Sequence, residues 1–401
     1  MPSPSLTRRR LLKTAGGGLV ASLSTAGLLA AGENRASTEE SRPMKITDVK
    51  ATALRTGTVI VQVFTDGGDV GIGECSPMNT AVIAHFVNTA LKPLVIGANP
   101  LEIDKLWHKM TFNTYKLGVQ GAQPEAIAGV DIALWDILGK TTGLPIHTLL
   151  GGAHRDKVLM YASIGGGGGM KPEAMVKQVE RFLERGFKAI KIRMDWGALR
   201  QDADPAKDLE MFRQVKAITG DKIPLSFDAN NGYSVSTAIQ QGRKFEDLGI
   251  YHYEEPVPQY DYAGLAAVAD ALDVAVAAGE HEYTRWQFRD LITQGKVDII
   301  QPDVVKCAGI SEMMKIAVLG SVYDKQFVPH QTQPTIGTAA SLHVCASLPN
   351  ATRPQEYAGG NPKLDEIFKE PLTFEDGCIK VPNRPGLGLE LVESKMKALA
   401  L

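Results

Sequence analysis

The sequence has little cysteine, no excess of charge of either sign and no long uninterrupted apolar run. Its four cysteines among 401 residues, Cys75, Cys307, Cys345 and Cys378, lie far apart. None forms the short Cys-x-x-Cys spacing of a structural zinc site or a redox motif, so they read as core thiols, with a disulfide left open. Lys and Arg number 43 against 45 Asp and Glu, for a net charge of −2. With no broad basic field to attract a polyanion, nucleic acid is excluded as a partner. Hydrophobic residues make up 44% of the chain, enough for a sizeable core, and the length predicts two domains or a large barrel with an attached module.

What the N-terminus does have is Thr7-Arg8-Arg9-Arg10-Leu11-Leu12-Lys13, followed by a small and apolar stretch over 14–32. A charged n-region before a modest h-region is the pattern of a signal peptide, too weakly apolar for a membrane span. The paired arginines resemble a twin-arginine signal, which predicts a periplasmic or otherwise exported protein with no stable membrane anchor after processing. A basic amphipathic tail is the alternative. The expected organisation is a signal over 1–32, a linker over 33–44, an α+β capping domain over 45–155, a barrel over 156–374, and a C-terminal segment over 375–401 that returns to the cap.

The cap is predicted from alternation. Val59-Ile60-Val61-Gln62-Val63-Phe64, the turn Asp66-Gly67-Gly68 and Val70-Gly71-Ile72-Gly73-Glu74 read as a hairpin of antiparallel strands. Helical periodicity takes over through 101–107 and 127–136. Beyond Gly151-Gly152, short apolar runs recur at 158–163, 189–193, 224–228, 250–254, 274–280, 299–303, 326–329 and 354–357, with a helical pattern in most gaps. That rhythm predicts a closed parallel α/β barrel of the TIM type. The glycine run over 165–169 reads as a βα loop, with phosphate cradling as the other reading.

Polar residues stop these runs in a regular way. Asp228, Glu254 and Glu280 each end one, and 26 residues, one βα repeat, separate each from the next. Strand ends converge on the face where barrel enzymes place their active sites. Any one of these acids could be a solvated or helix-capping carboxylate, but three meeting at one face repel one another unless a hard cation holds them. Oxygen-only ligands favour Mg2+. Lys191 and Arg193, two apart on one strand, point to the same side, into the barrel, and need a negative partner. Asp303 and His330 close neighbouring runs and can form an acid/base dyad, the carboxylate fixing the imidazole tautomer. Glu356 follows at the next strand end as a hydrogen-bond donor to a developing enediolate. Such a set suits removal of a proton α to a carboxylate, which builds a second negative charge on the acid group.

In their order and spacing, Gly71-Ile72-Gly73-Glu74, Asp131-Ile132-Ala133-Leu134-Trp135-Asp136, Lys191-Ile192-Arg193, Asp228-Ala229-Asn230-Asn231-Gly232, Glu254-Glu255-Pro256, Gly279-Glu280, Gln301-Pro302-Asp303 and Pro329-His330 resemble the enolase superfamily, mandelate racemase subgroup. The resemblance implies a modified (β/α)7β barrel with an α+β N-terminal capping domain. It implies Asp228, Glu254 and Glu280 as magnesium ligands, His330 with Asp303 as acid/base, and Glu356 beside the substrate carboxylate. Asn230 and His281 are expected to contact substrate. Where relatives with two bases carry Lys-x-Lys, this chain has Arg193, which stays protonated and makes a better clamp than a base. One base, His330, implies dehydration of an acid sugar to a 2-keto-3-deoxy acid, similar to rhamnonate-dehydratase-like members, rather than racemisation or epimerisation. An exported binding protein or a two-carboxylate glycosidase would leave Lys191, Arg193 or the dyad unexplained. A homo-oligomer is expected, and substrate choice is expected to lie in the loops over 76–84 and 111–121.

Overall fold

The structure is a computed structural model that describes residues 43–165, 169–194, 201–331 and 335–401. The expected signal, the linker up to residue 42 and residues 166–168 of the glycine run lie outside the described residues. Strands β1 (Ile46–Ala53), β2 (Val59–Thr65) and β3 (Val70–Cys75) form an antiparallel meander. Period-two alternation gives the meander two buried faces. Val59, Val61 and Val63 face a cap core shared with helices Ile103–Thr114 and Ala122–Thr142, while Ile60 and Ile72 join the barrel's core. The glycines of β3 let the long helix lie directly on the sheet. A Cβ at Gly73 would stand 1.9 Å from the Gly129 carbonyl oxygen, and one at Gly71 2.1 Å from that of Ala133.

Eight strands then run parallel: β4 (Lys157–Gly165), β5 (Ile190–Arg193), β6 (Leu225–Asp228), β7 (Tyr253–Glu254), β8 (Val276–Ala278), β9 (Ile299–Ile300), β10 (Gln326–Phe327) and β11 (Gln355–Tyr357). Each expected run coincides with one of them; β4 extends past its run at both ends, and the other seven are shorter than theirs, because the polar residues at several run ends sit past the last ladder pair. Helices such as Pro205–Thr219, Val235–Asp247 and Ile310–Val322 fill the gaps. β11 pairs with β4, and across the remaining seam Gln355 Nε2 donates to the Phe327 carbonyl at 3.3 Å. A hairpin of β12 (Phe374–Glu375) and β13 (Cys378–Lys380) adds antiparallel to the first half of β4.

The chain's last residues bond to the cap, Arg55 N to the Leu399 carbonyl at 2.8 Å and Leu401 N to that of Ala53 at 2.9 Å. All four cysteines are unpaired, and Cys75, Cys307 and Cys345 are buried. No helix among the described residues is long and apolar enough to cross a membrane.

Candidate active site

Parallel register places the polar residues at one rim. Arg193 is opposite Asp228, and Asp228 is opposite Glu254, each the last residue of its strand. Glu280, Asp303 and His330 lie two or three residues beyond β8, β9 and β10. Glu280 is reached through Gly279 (φ 143°), where a Cβ would stand 2.8 Å from Gln301 N. Past the strand ends the backbone turns sharply, with Asn230 at φ 44°, Asn231 at φ 62° and Glu255 at φ 43°. Such left-handed values at non-glycine residues cost energy and cluster at functional sites.

The side chains form one connected network. Lys191 Nζ pairs with Glu254, with Glu356 at 3.1 Å and with Asp228 at 3.5 Å. His330 Nδ1 is 2.7 Å from Asp303 Oδ2, and its Nε2 is 2.8 Å from Glu280 Oε2. His281 Nε2 lies 3.3 Å from Glu280 and 3.6 Å from Glu255. Asn230 N donates to Asp228 Oδ1 at 2.8 Å. Arg193 Nε and Asn230 Nδ2 are buried with no hydrogen-bond partner among the described residues, the condition of donors aimed at an anion.

The expected acid trio is divided between two cations: Asp228 and Glu254 turn to Lys191, and Glu280 turns to His330. Lys191, expected to point into the barrel and to need a negative partner, is wholly buried among Glu254, Glu356 and Asp228. Among the described residues, a group of three donors whose ligand atoms lie within 4.8 Å of one another is Glu255, Glu280 and His281.

Charge explains this division. Burial and the neighbouring Glu254 push the Asp228 carboxyl up to about 7, against Lys191. Burial raises Glu254, and burial with Glu280 and Asp228 raises Glu255 well above the usual carboxylate range. Burial works against ionisation of Glu280 too, yet His330 and Lys306 hold it well below that range. Burial also opposes charge on His330, but Glu280, Glu356 and Asp303 carry its imidazole up to about 10. Glu356 is held down to about 2, Lys191 and His330 overcoming burial. Glu356 accepts from Gln331 N at 2.8 Å with the charge of Lys191 and His330 favouring its ionised form, whereas the role expected of it toward an enediolate is that of a donor.

Several participants escape the sequence reading. Gln301 Nε2 donates to Glu254 at 2.6 Å; it stands in Gln301-Pro302-Asp303 and was legible as a neighbour of Asp303. Glu255 follows a strand-end acid, and alternation alone sends it outward; its positive φ turns it back. Lys306, three residues past Asp303, carries no periodic signal. His343 and His252 are structural. His343 Nδ1 accepts from His147 N at 3.2 Å, and His252 Nδ1 lies 3.0 Å from Ser226 Oγ.

Five buried or half-buried carboxylates, Asp228, Glu254, Glu255, Glu280 and Glu356, thus meet with fewer cations than acids. An oxygen-rich donor set that repels itself fits a hard divalent cation such as magnesium.

Comparison with known proteins assigns this architecture. Residues 174–395 match the enolase C-terminal domain-like family, and residues 34–151 match the mandelate racemase / muconate lactonizing enzyme N-terminal domain. The chain belongs to the enolase superfamily. Within that superfamily, it is 36% identical over 333 residues to arabinonate dehydratase of Saccharolobus solfataricus, covering 82% of this chain and 87% of that protein. It is 33% identical over 354 residues to D-galactarolactone cycloisomerase of Agrobacterium fabrum, covering 84% of this chain and 89% of that protein. A mandelate racemase/muconate lactonizing protein from Paracoccus denitrificans, solved in complex with magnesium, superposes with a TM-score of 0.84 at 38% identity, over 89% of this chain and 97% of that one. Similarity to a dehydratase and to a cycloisomerase leaves the reaction to be argued from the site.

Proposed function

We propose that this enolase-superfamily chain is a magnesium-dependent acid-sugar dehydratase, a hydro-lyase that converts its substrate to a 2-keto-3-deoxy acid. The observation that carries the reading is the dyad. Asp303 fixes His330 through Nδ1 at 2.7 Å, which turns Nε2 toward the carboxylates at the rim. Asp228, Glu254 and Glu280 are the residues that would hold the cation, which when bound supplies charge to polarise the substrate carboxylate and stabilise the enediolate.

The chain's own groups do the rest. With Glu280 turned to the cation rather than to His330, the imidazole would lose the partner that holds its proton; His330 Nε2 then takes the α-proton, and the resulting imidazolium returns it to the departing 3-hydroxyl, so that water leaves and the enol product relaxes to the ketone. Arg193, permanently charged, clamps the substrate's oxygens rather than acting as a second base. Lys191 keeps its proton among Glu254, Glu356 and Asp228 and balances the rim's negative charge. Asn230 Nδ2 and His281 contact the substrate's hydroxyls.

Screening acid sugars with magnesium for 2-keto-3-deoxy product tests the reading, with His330→Asn as the control. Full turnover in that variant, or α-deuterium incorporation with inversion and no keto product, overturns it. Export belongs to the same proposal and rests on residues 7–32. Replacing Arg8 and Arg9 with lysine should retain the protein in the cytoplasm on fractionation. The same preparation should sediment as a homo-oligomer.

A further inference from the structure

Asp303, which fixes the imidazole of His330, stands in no regular element. Strand β9 ends at Ile300, and the next helix begins at Ile310. The turn between them is built around Asp303. Val305 N donates to its Oδ1 at 3.0 Å, Lys306 N and Cys307 N donate to its carbonyl at 3.0 and 2.7 Å, and Gly309 N donates to the Val304 carbonyl at 3.1 Å. With Oδ1 held by the turn, Oδ2 faces His330 Nδ1 at 2.7 Å. The direction of the carboxylate is therefore only as fixed as the turn. Near its end Ala308 sits at φ 64°, a conformation that alanine leaves unless its surroundings hold it there.

What holds it comes from the cap. Trp107, buried on helix Ile103–Thr114, donates from Nε1 to the Ala308 carbonyl at 3.0 Å. Among the described residues, Ala308 is the one member of the cap's apolar core that the barrel supplies. The indole is in turn fixed by two barrel cations. Arg285 Cζ and Lys315 Nζ lie 5.2 and 5.0 Å from the centroid of its ring, and they are anchored by Glu312 and Asp104. A buried carbonyl keeps its place only while a donor meets it. Asp131, also of the cap, takes hold further on, at Ser311, which already belongs to the next helix.

We propose that Trp107 is a positioning residue for the dyad: its indole N–H, through Ala308, holds the turn that aims Asp303 at His330. It touches neither substrate nor the reacting atoms. The inference rests on the acid/base role proposed above for His330 and gives the cap a part in proton transfer from outside the site. Without the N–H, Ala308 relaxes toward negative φ and carries the turn, and the Asp303 carboxylate, with it. Misalignment of the dyad slows proton transfer without loosening the grip on substrate.

The test uses the full chain with magnesium and compares Trp107→Phe, a benzothienyl analogue of tryptophan at position 107, and Asp131→Asn. The first keeps an aromatic ring for Arg285 and Lys315; the second keeps the shape of the indole and loses the N–H alone, so that folding is preserved. One readout is turnover of an α-deuterated acid sugar beside the protiated one. The other is the downfield NMR signal of the proton that His330 Nδ1 donates to Asp303, identified by its loss in His330→Asn. Both changes at Trp107 should lower kcat by about 10- to 100-fold with KM held, raise the isotope effect on kcat, and shift or broaden the dyad signal. Asp131→Asn should do none of these. An unmoved signal or an unchanged kcat in the analogue overturns the inference, as does an equal loss of kcat in Asp131→Asn. If no acid sugar is turned over, the function proposed above fails, and the NMR signal alone decides the role of Trp107.

Discussion

Two sets of buried acids divide the molecule, and their partners tell them apart. In the cap, Glu74 accepts from Thr58, from Thr335 Oγ1 at 3.1 Å and from Gly337 N at 2.7 Å. Asp131 takes Ser311 N at 3.0 Å and Ser311 Oγ at 2.6 Å. Asp136 takes Ile72 N and Leu387 N, both at 2.9 Å, with Lys140 at 2.6 Å. Each reaches out of the cap to the barrel or the C-terminal segment. At the barrel rim, by contrast, Asp228, Glu254, Glu255 and Glu280 are met by cations and by one another. Burial raises most members of both sets, but only at the rim do neighbouring acids add substantially to the shift. Buried acids answered by N–H and O–H donors tie segments together. Buried acids answered by acids hold charge in reserve for something that binds.

The comparison can be broken most sharply at His330. His330→Asn should lower kcat by about 1,000- to 10,000-fold with little change in Tm, whereas Asp131→Asn should lower Tm and leave kcat within about twofold. Turnover in the first or a dead but folded second would erase the distinction. Glu254→Gln should weaken magnesium activation by more than the about 10- to 100-fold typical of outer partners, read from activity against magnesium concentration.

A tie should fail differently. Asp136→Asn should cost about 1–3 kcal/mol in urea unfolding while the apparent magnesium affinity stays unchanged. The last effect is absent at neutral pH and grows only on acidification; it concerns His343, whose imidazole burial pushes down to about 3. A group depressed when folded stabilises above its unfolded pKa, about 6.5, and loses that contribution as pH falls toward 3. Wild type should therefore lose about 1.4 kcal/mol per pH unit below 6.5 relative to His343→Gln. Parallel stability curves would show that this imidazole is not held neutral.

Much of this was legible because a parallel barrel repeats. The eight runs and the even spacing of Asp228, Glu254 and Glu280 mark strand ends without any knowledge of contacts, and the pair Asp303 and His330 follows the same beat. The division of the trio was not legible, since it depends on which carboxylate lies nearest Lys191 and which nearest His330. Nor was Lys306, which reaches the Glu280 carbonyl from a turn past β9, where no periodicity points. Glu74 stood in a recognisable motif, but its partners Thr335 and Gly337 lie about 260 residues downstream, a separation that local pattern cannot bridge.

Strand β4 pairs with β5 and also with β11 and β13, so the first barrel strand made is completed by nearly the last. On the ribosome its ladder stays open until residues 355–380 emerge, a long-range pairing that slows folding and leaves an edge open to other chains. A nascent chain stopped short of β11 would keep that edge exposed, so a chain lacking only residues 355–401 should aggregate rather than yield a smaller working barrel.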